Sequence, residues 1–173
     1  MRRGRELSVS QGNYINSTAP YGFERTEVLD GKRKCPTLKE KKEEADVVRL
    51  IFDMYVNQDL GRVTIAKKLN DLGIKPRKSE LWAQDAIKGI LENEHYIGKV
   101  RWNWRKTIDI VEEGEIRKSS RKSKVGEYLI YEGRHKGIIP EELFKAAQDK
   151  QGRNHRAKAK TKVRNPLASL VFC

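Results

Sequence analysis

The sequence predicts an α+β domain built on a helix-turn-helix (winged-helix-like) three-helix unit, with small antiparallel strands and a C-terminal helix. Three observations carry this: apolar residues at helical spacing in successive stretches between 40 and 93, β-branched and aromatic runs between 96 and 139, and a last helical stripe after Pro140. The chain has 173 residues, with 37 Lys plus Arg against 24 Asp plus Glu and a formal net charge of +13. A chain of this length buries roughly 70% of its unfolded surface, so one domain with an appendage is expected. The charge points to a polyanionic partner.

The elements follow in order. Residues 1–36 are rich in Gly, Ser, Asn and Pro and lack helical periodicity, which predicts an extended leading segment and a short hairpin around Tyr21 to Pro36, turning at Asp30-Gly31-Lys32. Val48, Ile51, Phe52 and Tyr55 predict a helix over about 40–57. Ile65, Ala66, Leu69 and Leu72 predict a second over about 62–72, and Gly73 suits the left-handed residue that ends helices. Ala83, Ala86, Ile87, Ile90 and Leu91 form the buried stripe of a third, about 82–93. Tyr96 to Asn103, Thr107 to Val111, Tyr128 to Tyr131 and Gly137 to Ile139 read as short strands, with Glu113-Gly114 as a turn. Between them Arg117 to Lys124 holds five cations and no apolar residue, and reads as a solvated loop. Pro140, Glu141 and Glu142 suit the start of a closing helix that runs to about Arg153. Lys150 to Arg164 carries seven cations and no acid, and the apolar run from Leu167 into Cys173 reads as a truncated chain.

Several function classes are disfavoured. His95, His135 and His155 are the only histidines, and no H-E-x-x-H, G-x-S-x-G, Walker A or G-x-G-x-x-G pattern occurs, so no catalytic residue is assigned. His95, beside Tyr96, reads as a packing residue. Cys35 and Cys173 have no C-x-x-C partner, so neither a disulfide framework nor a complete zinc site is written here. No stretch approaches the roughly 18 apolar residues of a membrane span, and no apolar stretch follows the basic N-terminus. A cytoplasmic protein with no membrane partner is expected.

The helical unit suggests duplex DNA. In a helix-turn-helix the second helix of the pair enters the major groove and presents its N-terminal half to base edges. With the apolar stripe of 82–93 inward, Gln84, Asp85 and Lys88 face outward; Gln pairs with adenine and Lys with guanine. Arg77, Lys78 and Ser79 at the helix entrance suit phosphates. Arg2, Arg3 and Arg5, with Gly4 between them, suit an extended arm in a narrow minor groove. Arg101, Arg105 and Lys106 alternate with Trp102 and Trp104 as in a wing with cations outward, and either tryptophan alternatively belongs to the core. Arg117, Lys118, Arg121 and Lys122 add phosphate contacts that weaken all sequences alike when removed.

Together these residues amount to a resemblance. Ala19-Pro-Tyr-Gly-Phe23, then Ile65-Ala-x-x-Leu-Asn70 with Gly73-Ile74, then Trp82 followed by Ile90-Leu91-x-Asn93-x-x-Tyr96-x-Gly98, then Gly137-Ile-Ile-Pro140 with Leu143-Phe144, resembles the recombinase domain of the large serine recombinases. Order and spacing agree over about 19–153. The resemblance implies three parts: a basic linker or minor-groove arm at 1–18, the DNA-binding recombinase domain at 19–153, and at 154–173 a basic linker and the start of a truncated zinc ribbon, with Cys173 where its first ligand stands. It further implies a phage integrase or mobile-element recombinase of bacterial origin, cytoplasmic and nucleoid-associated, whose homo-oligomeric parent cuts and rejoins attachment sites through a phosphoserine linkage. The catalytic serine belongs to an N-terminal resolvase-like domain that no part of this chain matches, so Ser8, Ser10 and Ser17 are not nucleophiles. No cofactor is implied here, and zinc only for the full-length parent. Two other readings remain open: a winged-helix transcriptional regulator and an RNA-associated basic protein.

Overall fold

The computed structural model describes residues 2–112, 115–123 and 127–156. Within them the order is α1 (Arg2–Ser10), β1 (Phe23–Asp30), β2 (Arg33–Glu40), α2 (Lys42–Val56), α3 (Arg62–Asp71), α4 (Gln84–Leu91), a single 3-10 turn (Glu94–Ile97), β3 (Lys99–Trp102), β4 (Arg105–Glu112), β5 (Glu115–Lys122), β6 (Leu129–Glu132) and α5 (Glu141–Arg156). The α+β class is as the sequence predicts. The Glu113-Gly114 turn, the Asn165-Pro166 break and Cys173 lie outside the described residues, as do the side chains of Arg2, Lys122 and His155.

The leading segment differs from expectation: Arg2 to Ser10 is helical, not extended. Its stop signal is Gly12, at φ +80°. The Gly12 amide donates to the Val9 carbonyl (2.8 Å) and the Asn13 amide to the Ser8 carbonyl (3.2 Å), the paired bonds that close a helix on a left-handed glycine. Val9 is buried and fastens α1 to the protein, while Arg3, Arg5 and Leu7 stay exposed.

Three two-stranded antiparallel ribbons flank the helices: β1 with β2, β3 with β6, and β4 with β5. The first runs to Glu40, four residues past the expected hairpin, in the register Phe23↔Glu40 to Asp30↔Arg33. The expected loop at Arg117 to Lys124 is strand β5 through Lys122, paired with β4 from Arg105↔Lys122 to Glu112↔Glu115. A ribbon open to solvent on both faces needs no apolar alternation, so the pattern that betrays a half-buried strand is missing. Gly137 to Ile139, expected as a strand, is irregular. The Ile138 and Ile139 amides both donate to the Tyr96 carbonyl (2.8 and 2.9 Å), so this stretch answers a turn, not a ladder.

The core gathers where α2 crosses the ends of the other elements. Val48, Ile51 and Phe52 of α2, Ile65 and Leu69 of α3, and Ile87 and Leu91 of α4 are all fully buried, and Phe144 of α5 meets Phe52 at 6.1 Å between ring centroids. These are the residues the 3.6-residue period picked out. Phe23 stacks on Tyr96 at 5.8 Å, and the Tyr96 hydroxyl donates to the Tyr21 carbonyl (2.8 Å), which ties the hairpin to the 3-10 turn. Gly73, at φ +70°, ends α3 as expected.

Two histidines knot the β3–β6 ribbon to the core. His95 and His135 are 4% and 6% exposed, so both must fold without water. His95 Nδ1 meets the Lys99 carbonyl at 2.7 Å and His135 Nε2 the His95 carbonyl at 2.8 Å. Burial, the Arg101 charge and His135 pull the His95 pKa down to about 3 against the Lys99 hydrogen bond, and burial lowers that of His135. Both stay neutral when folded, whereas the unfolded chain takes up protons near pH 6.5. Below that pH the unfolded state holds more protons, so stability is complete above pH 6.5 and falls as the pH drops towards 3. Urea unfolding should be flat from pH 8.5 to 7.5, then lose up to roughly 1.4 kcal/mol per pH unit below 6.5 through His95, with His135 acting in the same direction. A flat profile down to pH 5 contradicts neutral burial of the pair.

Candidate nucleic-acid interface

α3 and α4 stand as the helical pair of the sequence reading, and the connection between them is pinned at both ends. The Trp82 amide donates to Asn70 Oδ1 (2.7 Å), Asn70 Nδ2 returns a bond to the Trp82 carbonyl (3.1 Å), and the indole Nε1 donates to the Ile74 carbonyl (2.9 Å). Trp82 is buried edge-on to Tyr21, with centroids 5.1 Å apart. A connection longer than a minimal turn is thereby held as firmly as a short one.

On α4 the inward stripe is narrower than expected. Ile87, Ile90 and Leu91 are buried, but Ala83 and Ala86, predicted inward, are exposed. The helix has only eight residues, and the buried isoleucines and leucine cover one side of it, which turns the alanines to solvent. Gln84, Asp85 and Gly89 are exposed as well. Lys88 is half-exposed and sits 3.7 Å from Glu92. The outer surface of α4 is therefore polar and small, a shape that admits close approach. Lys78 and Ser79 stand exposed on the connection before it.

Two of the cations expected to face DNA, Arg77 at the helix entrance and Arg101 on the wing, have their guanidiniums engaged within the fold. Arg77 spends its guanidinium on Glu44 (Nε to Oε1, 2.9 Å, with Nη2 against Oε2) and on the carbonyls of Ala19 (3.2 Å) and Phe23 (2.5 Å). Arg101, expected outward on a wing, has a side chain only 11% exposed; it pairs with Glu94 (2.9 Å) and Asn93 Oδ1 (2.9 Å) and stacks over Trp104 at 3.9 Å. An arginine whose donors are filled inside the fold has few left for a partner. Nothing in sequence spacing shows this, because the acids that claim them lie 33 and seven positions away.

The remaining cations divide into two groups. Arg5 of α1 and Arg105 of β4 both line a groove of about 1180 Å³, together with Tyr14, Asn16, Trp102 and Trp104. Trp102 packs partly against the core, and Trp104 meets Tyr128 edge-on at 5.2 Å. On the β4–β5 ribbon the register sets Lys106 opposite Arg121 and Ile110 opposite Arg117 on one face, with Lys118 on the other. Lys106 pairs with Glu127 at 3.2 Å; Arg117, Lys118 and Arg121 are exposed. Lys122 and Arg2 have side chains outside the described residues. Among the described residues no three His, Cys, Asp or Glu groups could hold a metal ion, and no helix is long and apolar enough to cross a membrane.

This arrangement coincides with a known family. The Recombinase profile matches residues 42–154, from the start of α2 almost to the end of α5. The chain belongs to the recombinase family. Two solved structures share its fold. One is described as the crystal structure of an LSR–DNA complex, LSR denoting large serine recombinase: TM-score 0.58, 22% identity, 88% of this chain and 38% of that one. The other is described by the sequence requirements of the Listeria innocua prophage attP site: TM-score 0.57, 22% identity, 87% of this chain and 50% of that one. The recombinase chain thus spans half or less of each of these two structures.

The internal role of Arg101 can be checked directly. Replacing Arg101 by Ala leaves the largely covered Glu94 carboxylate with the Tyr128 hydroxyl (2.9 Å) but no cation, and should cost the recombinase domain roughly 3 kcal/mol in urea unfolding. The paired replacement of Arg101 and Glu94 by Leu should recover most of this. A loss below about 0.5 kcal/mol for Arg101→Ala shows the side chain to be free.

Proposed function

We propose that this recombinase domain binds double-stranded DNA with sequence preference at the attachment half-sites of a site-specific recombinase from a phage or mobile element. The observation that carries the reading is the pinned α3–α4 pair, which offers a short polar helix face beside exposed cations on a chain of net charge +13. The two solved structures of the same fold, both described by their DNA, support it.

In this reading α4 lies in the major groove. Gln84 and Lys88 supply donors and acceptors for adenine and guanine edges, while Ala86 and Gly89 let the backbone come close. Lys78 and Ser79 meet phosphates as the helix enters, and Arg3, Arg5 and Arg105 follow the backbone at the groove between α1 and β4. Since Arg3 and Arg5 are presented from a helix, their contact is with backbone and groove edge and not by an extended arm along the groove floor. Lys106, Lys118 and Arg121 on the ribbon add charge without reading sequence, and Arg77 and Arg101 are withdrawn from the contact set. Strand exchange through a phosphoserine is assigned to a resolvase-like domain of the parent, and zinc to the parent's ribbon at Cys173; neither takes part in the binding described.

Anisotropy titrations on half-site duplexes from the flanks of the encoding element test this. If six or more phosphates are neutralised, affinity should fall by roughly 10³-fold or more between 50 and 200 mM salt. Gln84→Ala and Lys88→Ala should narrow the gap between cognate and scrambled duplex, whereas Lys118→Ala and Arg121→Ala should weaken both equally. A shallow salt slope on the cognate duplex, or the same effect from all four variants, contradicts the proposal.

A further inference from the structure

The face that α4 turns outward is set by its buried residues. At about 3.6 residues per turn, the direction opposite Ile87, Ile90 and Leu91 falls on Asp85 and Gly89, one turn apart on a single line. Gln84 and Lys88 fall on one flank, where they share a cleft with Lys150 and Gln151 of α5, and Ala86 falls on the other. The centre of the outward face is therefore an acid and a glycine.

Asp85 is exposed and has no hydrogen bond or ion pair among the described residues; Lys88, one turn on, turns instead to Glu92 at 3.7 Å. In the first turn of a helix whose start at Ala83 has no side-chain cap, its carboxylate suits the helix dipole, a role that any acid fills and that concerns stability alone. Gly89 has no such use. A Cβ there meets nothing within 4 Å, and its φ is not left-handed, so neither packing nor a helix stop requires a glycine. A helix interior disfavours glycine against alanine, so the fold loses stability here without a gain of its own. The bare backbone and the unpartnered carboxylate share the side turned away from the core. Together they suit an object that comes closer to α4 than a methyl group allows and that offers a donor to an acid.

We propose, resting on the duplex reading above, that Asp85 is a specificity-determining residue: it accepts a hydrogen bond from the exocyclic amino group of one cytosine in the major groove, at a depth that Gly89 permits. The choice of base follows from the groove. Guanine N7 and O6 and thymine O4 are acceptors and repel a carboxylate, and the only donors are cytosine N4 and adenine N6. Adenine sets its N7 acceptor beside N6, which suits a carboxamide and not a carboxylate, whereas cytosine offers its amino group alone. The surrounding phosphates repel Asp85 as well, so the acid lowers affinity for every sequence that does not supply the donor. Gln84 and Lys88 attract their bases from the flank, while Asp85 acts chiefly by rejecting the wrong pair.

Enrichment from a random duplex library, followed by sequencing and by anisotropy on single duplexes, tests this with the wild-type chain, Asp85→Asn, Asp85→Ala and Gly89→Ala. The wild-type motif should hold a C·G pair whose replacement by any other pair costs roughly 10-fold in affinity. Asp85→Asn, of the same shape with a donor added, should turn that one position towards A·T and leave the rest of the motif unchanged. Asp85→Ala should accept all four pairs there within about threefold, and both variants should bind scrambled duplex at least as tightly as the wild-type chain, because a negative charge has gone. Gly89→Ala separates stability from binding: it should raise Tm through helix propensity, yet bind the enriched duplex roughly 10-fold or more weakly. An Asp85→Asn motif identical to the wild-type one, or weakened at every position alike, overturns the role of Asp85, and undiminished affinity in Gly89→Ala overturns the close approach. A wild-type chain that enriches no sequence instead refutes the duplex reading itself.

Discussion

One buried carboxylate holds the connection between α3 and α4 in place. Glu44, on the first turn of α2, is 8% exposed and accepts from the Gly22 amide (2.9 Å), Lys41 Nζ (2.8 Å) and Arg77 Nε (2.9 Å), with Arg77 Nη2 closing a fork. Burial would raise its pKa, but the Arg77 and Lys41 hydrogen bonds, the Gly22 amide and the Arg77 charge outweigh that and hold it at about 2. Arg77 also bonds the carbonyls of Ala19 and Phe23, so the hairpin, α2 and the α3–α4 connection meet at one charge. A well-packed apolar contact could supply as much stability. The ion pair adds direction, since a planar fork fits one geometry, and Trp82 then continues the same connection into α4.

Positioning of this kind leaves fewer arginines free for a partner. Of the arginines near the recognition elements, Arg77 and Arg101 are structural, and each braces a segment that carries an exposed group: Arg77 the connection bearing Lys78 and Ser79, Arg101 the start of the ribbon bearing Arg105 and Lys106. Exposed cations lie on α1 (Arg3, Arg5), the β1–β2 hairpin (Lys32, Arg33, Lys34), α3 (Lys67, Lys68) and the β4–β5 ribbon (Arg117, Lys118, Arg121) alike. In the proposed duplex complex, preorganisation of this sort lowers the entropy cost of binding.

Most of the fold was legible in the sequence because most of it obeys a period. The helices α2, α3 and α5 and the stop at Gly73 follow apolar spacing and turn chemistry, as does the turn between β1 and β2. The elements missed are those where another term prevails. α1 has one buried apolar residue, Val9, and declares itself chiefly through Gly12, a stop signal without a visible stripe before it. β5 has no alternation because both faces of its ribbon meet solvent. Ala83 and Ala86 read as core because alanine is apolar, yet it is small enough to leave outside at little cost.

The site was less legible than the fold. Gln84, Lys78, Ser79, Arg3, Arg5, Arg105, Lys118 and Arg121 stand exposed, as a contact surface needs. Arg77 and Arg101 have intramolecular partners that spacing did not show, because an arginine serves equally as a strut or as a contact. Those partners are distant in the chain, so the decision belongs to tertiary structure. Glu44 gave no sign either: on a helix that begins Lys-Glu-Glu it looks like one more first-turn acid.

The most direct measurement is a double-mutant cycle on Glu44 and Arg77, with Glu44→Gln, Arg77→Gln and the pair followed by urea unfolding and by duplex affinity at matched fraction folded. Each single change should cost roughly 3 kcal/mol, with a coupling of about 1–3 kcal/mol between them, and each should narrow discrimination between cognate and scrambled duplex. Additive stabilities together with undiminished discrimination would show that α4 is positioned without this carboxylate.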